Sequence, residues 1–142
     1  MEIQRLRIRD YEEMIGLWER AGLPYKPRGR DSREAIGRQM RLHPDFFLGA
    51  FEGERLIGAV IVSSEERKGW INRLAVEPDY RGRGIASALI AESEKVLRKH
   101  GIRILGCLIE ETNVVSKELF KKCGYSELRN IIYFSKRDDD ES

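Results

Sequence analysis

Trp70-Ile71-Asn72-Arg73-Leu74-Ala75-Val76-Glu77-Pro78-Asp79-Tyr80-Arg81-Gly82-Arg83-Gly84-Ile85-Ala86 reads as a strand, a turn and the start of a helix. Trp70–Val76 is apolar and strand-like, Pro78 and Asp79 punctuate the join, and Ile85–Ile90 opens a helical pattern. The first N–H groups of a helix have no intrahelical partner, and the helix dipole adds partial positive charge there. Gly82 and Gly84 let the backbone approach a ligand closely. Arg81 and Arg83 add guanidinium groups shaped for phosphate. The stretch predicts an anion cradle.

At 142 residues the chain is long enough for one domain with a real core. The expected domain is 1–137, followed by 138–142 as an acidic, disordered tail. Asp138, Asp139, Asp140 and Glu141 are four acids without a base, so a net charge of +2 leaves residues 1–137 at about +6. That excess suits a polyanionic small ligand and is too scattered to argue for nucleic acid. No stretch is apolar enough to cross a membrane. Met1–Arg5 lacks the core of a secretory signal, and Cys107 and Cys123 belong to no Cys/His cluster. The expectation is a cytoplasmic protein without a metal site, its cysteines serving as core filler.

Along the chain, Glu2–Arg9 predicts a strand and Asp10 a helix cap, with Glu13 at the capping-box position. Gly22 is placed to end that helix, and Asp31 or Ser32 to start the next. Phe46–Phe51 and Leu56–Val62 predict a hairpin, and the Trp70 strand extends it to a meander. The long helix runs to about His100 and ends at Gly101. Ile102–Ile109 predicts a strand parallel to Trp70–Val76, because a helical crossover joins them. A helix follows over Val114–Lys122, then two short strands, Tyr125–Arg129 and Ile131–Ser135. The expected class is α+β, a mixed and mostly antiparallel sheet of about seven strands with helices on both faces.

A dinucleotide fingerprint would want Gly or Ala where Ser87 stands, and a P-loop would need Gly-Lys-Ser/Thr. The segment Leu74–Ala86 instead resembles the acetyl-coenzyme A signature of the GNAT (GCN5-related N-acetyltransferase) superfamily, with Arg81, Gly84 and Ala86 filling its core pattern. Asn113, Ser116 and Leu119-Phe120-Lys121-Lys122-Cys123-Gly124-Tyr125 resemble that family's second conserved region. The order of elements agrees over nearly the whole chain.

The resemblance implies a GNAT fold and a direct acetyl transfer from acetyl-CoA to an amine of a small molecule or peptide. It implies that the backbone at Leu74, Ala75 and Val76 pairs with the pantetheine arm, and that Arg81, Gly82, Arg83, Gly84, Ile85, Ala86 and Ser87 wrap the diphosphate. It further implies coenzyme contacts at Asn113, Ser116, Lys117 and Phe120. The Val76 N–H would hold the oxyanion. The physics agrees: parallel strands that separate leave backbone groups an amide-bearing arm can satisfy. The family's usual bulge in the first of these strands is not visible in the sequence.

Two departures stand out. Phe120 occupies the place of the family's proton-donating tyrosine, and the Trp70 strand carries no glutamate. Tyr125 and Tyr133 are substitute acids, and Glu110 and Glu111 are candidate bases, though each also reads as packing or an exposed turn residue. Glu77 is expected to point to solvent, and His43 and His100 are unsupported as catalytic groups. In the superfamily the segment between the first two helices walls the acceptor site. Here it holds Tyr25, Lys26, Arg28, Arg30 and Arg33, with Arg38 and Arg41 beyond. Most read as a solvated basic face; the sharper reading is an acceptor bearing a carboxylate or phosphate. Ile131–Phe134 reads either as a buried strand or as the homodimer contact that relatives often make there. The competing function is a catalytically weak acetyl-CoA-binding sensor.

Overall fold

The computed structural model describes residues 1–142. Five strands form one sheet in the order β1-β2-β3-β4-β5: β1 Glu2–Arg5, β2 Phe47–Glu52, β3 Arg55–Ser64, β4 Lys68–Val76 and β5 Ile104–Gly106. The first four pair antiparallel, and β4 with β5 parallel. Helices α1 Tyr11–Ala21 and α2 Arg33–Leu42 precede β2, α3 Ile85–Lys99 crosses from β4 to β5, and α4 Val114–Lys122 follows. Helices α1 and α3 both pack on β3 and β4, and the consecutive residues Leu56–Val62 of β3, which alternate between the sheet's two faces, are all buried.

The core follows the apolar periodicity. Met14, Leu17 and Trp18 of α1 are fully buried, as are Ile57 and Val60 of β3 and Leu89 and Leu97 of α3. Small residues let α3 sit close: a Cβ on Gly58 would meet Leu89 Cδ1 at 3.0 Å, and one on Gly69 would meet Leu97 Cδ1 at 2.8 Å.

Several expectations are corrected. β1 stops at Arg5, and Ile8–Asp10 is a 3₁₀ turn. The Asp10 carboxylate accepts from the Arg7 N–H at 2.8 Å, so it caps that turn and not α1. Ser32, not Asp31, caps α2, accepting from the Ala35 N–H at 3.1 Å. β5 keeps only three of the eight residues expected of it. Neither Tyr125–Arg129 nor Ile131–Ser135 joins the sheet, which therefore has five strands. Ile131, Ile132, Tyr133 and Phe134 are exposed. Apolar composition favours a strand only where a ladder partner is within reach. Near the end of the chain Glu141 lies 3.4 Å from Arg28, while Asp138, Asp139 and Asp140 are exposed.

Candidate functional site

The site grows from the way β4 leaves its neighbours. β4 pairs with β5 only from Lys68 opposite Ile104 to Trp70 opposite Gly106. Beyond that the two strands part, and Ile71–Val76 has no partner on that side. On the other side, Ala59 and Ile61 of β3 face Ala75 and Asn72. Two steps along β3 thus match three along β4, so β4 carries a bulge with one extra residue. The bulge contains Arg73, whose φ of +53° lies in the left-handed region. An L-residue there costs about 1–2 kcal/mol, which neighbouring contacts must offset.

The bulge sets the direction of the backbone that follows. Glu77 N–H donates to Ile57 O at 2.8 Å, toward β3. Strand groups alternate in direction, so the N–H of Val76 points the other way, into the opening. A free donor therefore faces the gap between the two separated strands. It is the first element of a polar site that an amide- or carbonyl-bearing ligand could satisfy.

The second element is the cradle. Pro78–Tyr80 forms a 3₁₀ turn, and Gly82 and Gly84 follow with φ of +80° and +79°. These left-handed angles explain why glycine stands there. A Cβ at either would touch nothing within 4 Å, so the turn faces open space. Ala88 N–H is the first to close a helical turn, onto Gly84 O at 3.0 Å. The N–H groups of Ile85, Ala86 and Ser87 therefore lie ahead of the ladder at the positive end of α3. Arg81 and Arg83 are exposed beside them. The Arg83 guanidinium lies 4.8 Å from the Tyr80 ring centroid, and that of Arg55 lies 5.3 Å away. Open space, free donors and fixed positive charge fit a diphosphate.

A third group comes from α4. Asn113 caps it, its side-chain oxygen accepting from the Ser116 N–H at 3.1 Å. Lys117 Nζ lies 3.1 Å from both Glu111 O and Glu127 Oε1. Phe120 is buried, with the Tyr125 ring edge-on at 5.1 Å between centroids. The Tyr125 hydroxyl donates to Glu94 Oε2 at 2.7 Å. Burial first, and then Glu94, pushes the Tyr125 pKa upward. Glu110 and Glu111 are exposed in the turn between β5 and α4, where Glu110 O accepts from the Asn113 N–H. Cys107 is half-buried, and burial pushes its thiol up to about 11.

Glu77 does not point to solvent. It is 4% exposed, and its carboxylate meets Arg20 at 2.9 Å and Arg55 at 3.9 Å. Asp31 is likewise buried, against Arg73 Nη2 at 2.6 Å. These partners are 57 and 42 positions apart, so no local pattern could have paired them. The basic segment is also less free than its composition suggests. Arg33 pairs with Glu12 at 2.6 Å, Arg28 with Glu141, and Arg30 lies 3.9 Å from Asp31.

Against known proteins, the model of the acetyltransferase (GNAT) family matches residues 3–125. The chain belongs to this family. An acetyltransferase of Sodalis glossinidius is 34% identical over 96% of this GNAT chain and 95% of its own length. One of Photorhabdus laumondii is 36% identical over the same shares. Among solved structures, the PaiA N-acetyltransferase of Thermoplasma acidophilum, in complex with coenzyme A, is similar with a TM-score of 0.76 and 25% identity. That match covers 86% of this chain and 87% of the other. The aminoglycoside acetyltransferase AAC(6')-Iy, bound to a bisubstrate analogue, has a TM-score of 0.78 at 20% identity, over 96% and 97% of the two chains. The chain shares the GNAT family's fold, and the bulge absent from its sequence pattern is present in that fold. No helix is long and apolar enough to cross a membrane.

Proposed function

We propose that this chain moves the acetyl group of acetyl-CoA directly to an amine of a small-molecule or peptide acceptor. The observation that carries this reading is the pairing of an outward-facing Val76 N–H with the Arg81–Ser87 cradle, at the two ends of one short segment. Arg81, Gly82, Arg83, Gly84, Ile85, Ala86 and Ser87 would hold the diphosphate. The open β4 edge at Leu74, Ala75 and Val76 would take the amide-bearing arm, and Asn113, Ser116, Lys117 and Phe120, from α4 and its cap, would add further coenzyme contacts. Acetyl-CoA supplies an activated acyl carbon on a stable leaving thiolate.

The Val76 N–H donates to the carbonyl oxygen as negative charge develops there; one such donor is worth about 10²–10³ in rate. Holding both reactants against one strand adds the advantage of orientation. The amine must arrive neutral, and Glu110 and Glu111 are the candidate bases. Tyr125 is the candidate acid, although its hydroxyl is engaged with Glu94. A free thiol has a pKa near 8.5, so the thiolate can depart with little acid assistance. The two unpaired cysteines suit the reducing cytoplasm in which we place the reaction.

The test is release of free CoA thiol with amino acids, polyamines, aminoglycosides and peptides. Turnover with at least one amine, above the rate with water, is the expected result. The second reading is an acetyl-CoA-binding sensor, favoured by the buried Phe120 where a proton donor would stand. Tight acetyl-CoA binding with no turnover across the panel would select it. If only cationic acceptors react, and Arg28→Ala and Arg30→Ala leave their kinetics unchanged, an acidic acceptor is excluded.

A further inference from the structure

We propose that Arg73 is the positioning residue that holds the wall between α1 and α2 against the reacting edge of β4, a reading that rests on the transfer function above. The chain from Leu23 to Ser32 has no regular structure of its own. Tyr25 bonds to Glu19 of α1 and Arg28 to Glu141, but the two contacts that tie the segment to β4 both come from one guanidinium. Arg73 Nη1 donates to the Pro24 carbonyl, and Nη2 donates to Asp31 Oδ2 at 2.6 Å. The guanidinium also lies 5.1 Å from the Trp18 ring centroid, at the C-terminal half of α1.

Asp31 passes the restraint on. The same Oδ2 accepts from the Lys26 N–H at 2.8 Å, and the Asp31 carbonyl accepts from the Tyr11 hydroxyl at 2.6 Å. One arginine thus gathers both ends of the 24–31 segment and ties them to the strand. It does so from the bulge, which re-aims a side chain out of the regular alternation. The fork of guanidinium donors suits two separate acceptors, a geometry that lysine cannot reproduce.

The placement gives the clamp its meaning. Arg73 stands three residues before Val76, and Glu77, tied to Arg20 of α1, stands one after. The two ties bracket the N–H that faces the opening. The wall cannot drift from that N–H without breaking a charged contact at a buried carboxylate. Arg73 would therefore govern where the acceptor amine stands. Coenzyme binding depends on the cradle and would not need it.

The experiment compares Arg73→Met, Arg73→Lys and Asp31→Asn with the parent chain. In Arg73→Met, hydrogen exchange of the Lys26–Ser32 amides should quicken about tenfold while the β2 and β3 amides stay protected. Calorimetric affinity for acetyl-CoA should hold within about twofold, because the cradle is untouched. With the fastest acceptor of the amine panel, kcat/KM should fall about 100-fold, mostly through KM. Acetylation of n-butylamine, too small to meet the wall, should be nearly unchanged. Arg73→Lys and Asp31→Asn should fall between, and they decide the matter if Arg73→Met does not fold. Unchanged exchange at Lys26–Ser32, or equal loss for both amines together with acetyl-CoA binding, would overturn the proposal. If no amine reacts, n-butylamine included, the transfer function fails on its own, and the exchange data still decide the role of Arg73.

Discussion

Arg20 and Glu77 are joined by a forked contact across 57 positions of sequence: Arg20 Nε lies 2.9 Å from both carboxylate oxygens, and Nη2 lies 2.9 Å from Oε2. The Glu77 side chain is 5% exposed and that of Arg20 is 51% exposed. The pair fastens the end of α1 to the point where β4 turns into the cradle. Arg20→Met leaves a buried carboxylate with Arg55 at 3.9 Å as its remaining cation. The expected cost is about 1–3 kcal/mol, the range for an unpaired buried charged partner that keeps some screening. Chemical denaturation with an unchanged m-value checks it.

Gly84 tests the cradle. Its φ of +79° is strained for any β-branched side chain, although a Cβ there would meet no neighbour. Gly84→Val should cost about 1–2 kcal/mol in stability and leave a folded protein. The greater effect should be on the ligand, because shifting the turn moves three free N–H groups together. We expect acetyl-CoA affinity to fall at least tenfold by calorimetry; unchanged affinity would mean the cradle is elsewhere.

The Tyr125 hydroxyl separates structure from catalysis. Its burial, and then its hydrogen bond to Glu94, hold it protonated in the folded chain, whereas an unfolded tyrosine ionises near pH 10. The folded-state pKa is raised, so the stabilisation is complete below about pH 10 and declines above it. Tyr125→Phe should flatten that decline in a stability profile from pH 8 to 11. Because the hydroxyl is engaged with Glu94, kcat should fall less than about tenfold. A loss of about 10²–10⁴ would instead identify Tyr125 as the general acid.

Cys107 should behave as an inert thiol. Its pKa, raised to about 11 by burial, leaves very little thiolate at neutral pH. Iodoacetamide labelling followed by peptide mapping should show slow modification at pH 7, quickening about tenfold per pH unit up to that pKa. Cys107→Ser should keep acetyl transfer within about twofold, as direct transfer without a cysteine acyl carrier requires.

The departures from expectation share one cause. Asp10 and Asp31 each look like a helix cap in sequence, yet one caps a 3₁₀ turn and the other binds Arg73. An aspartate serves whichever donor the fold brings closest, and the local pattern contains only the nearby ones. Glu77 follows the strand as an exposed acid would, but α1 supplies Arg20 from far upstream. Ile131–Phe134 has strand composition without a strand, because a ladder needs an edge in reach and composition supplies none.

What could be read without coordinates were the features that depend on a few adjacent residues. The glycine turn before α3 and the end of α1 at Gly22 follow from backbone sterics. The meander and the parallel crossover follow from apolar periodicity and chain connectivity. What required the folded chain were the bulge at Arg73, the outward turn of the Val76 N–H, and the two arginine–carboxylate ties on either side of it. A bulge arises when two strands are forced into register against a shared core, and an ion pair arises when two distant segments are packed together. Both are properties of the assembled sheet and helices, so they enter only with the tertiary structure.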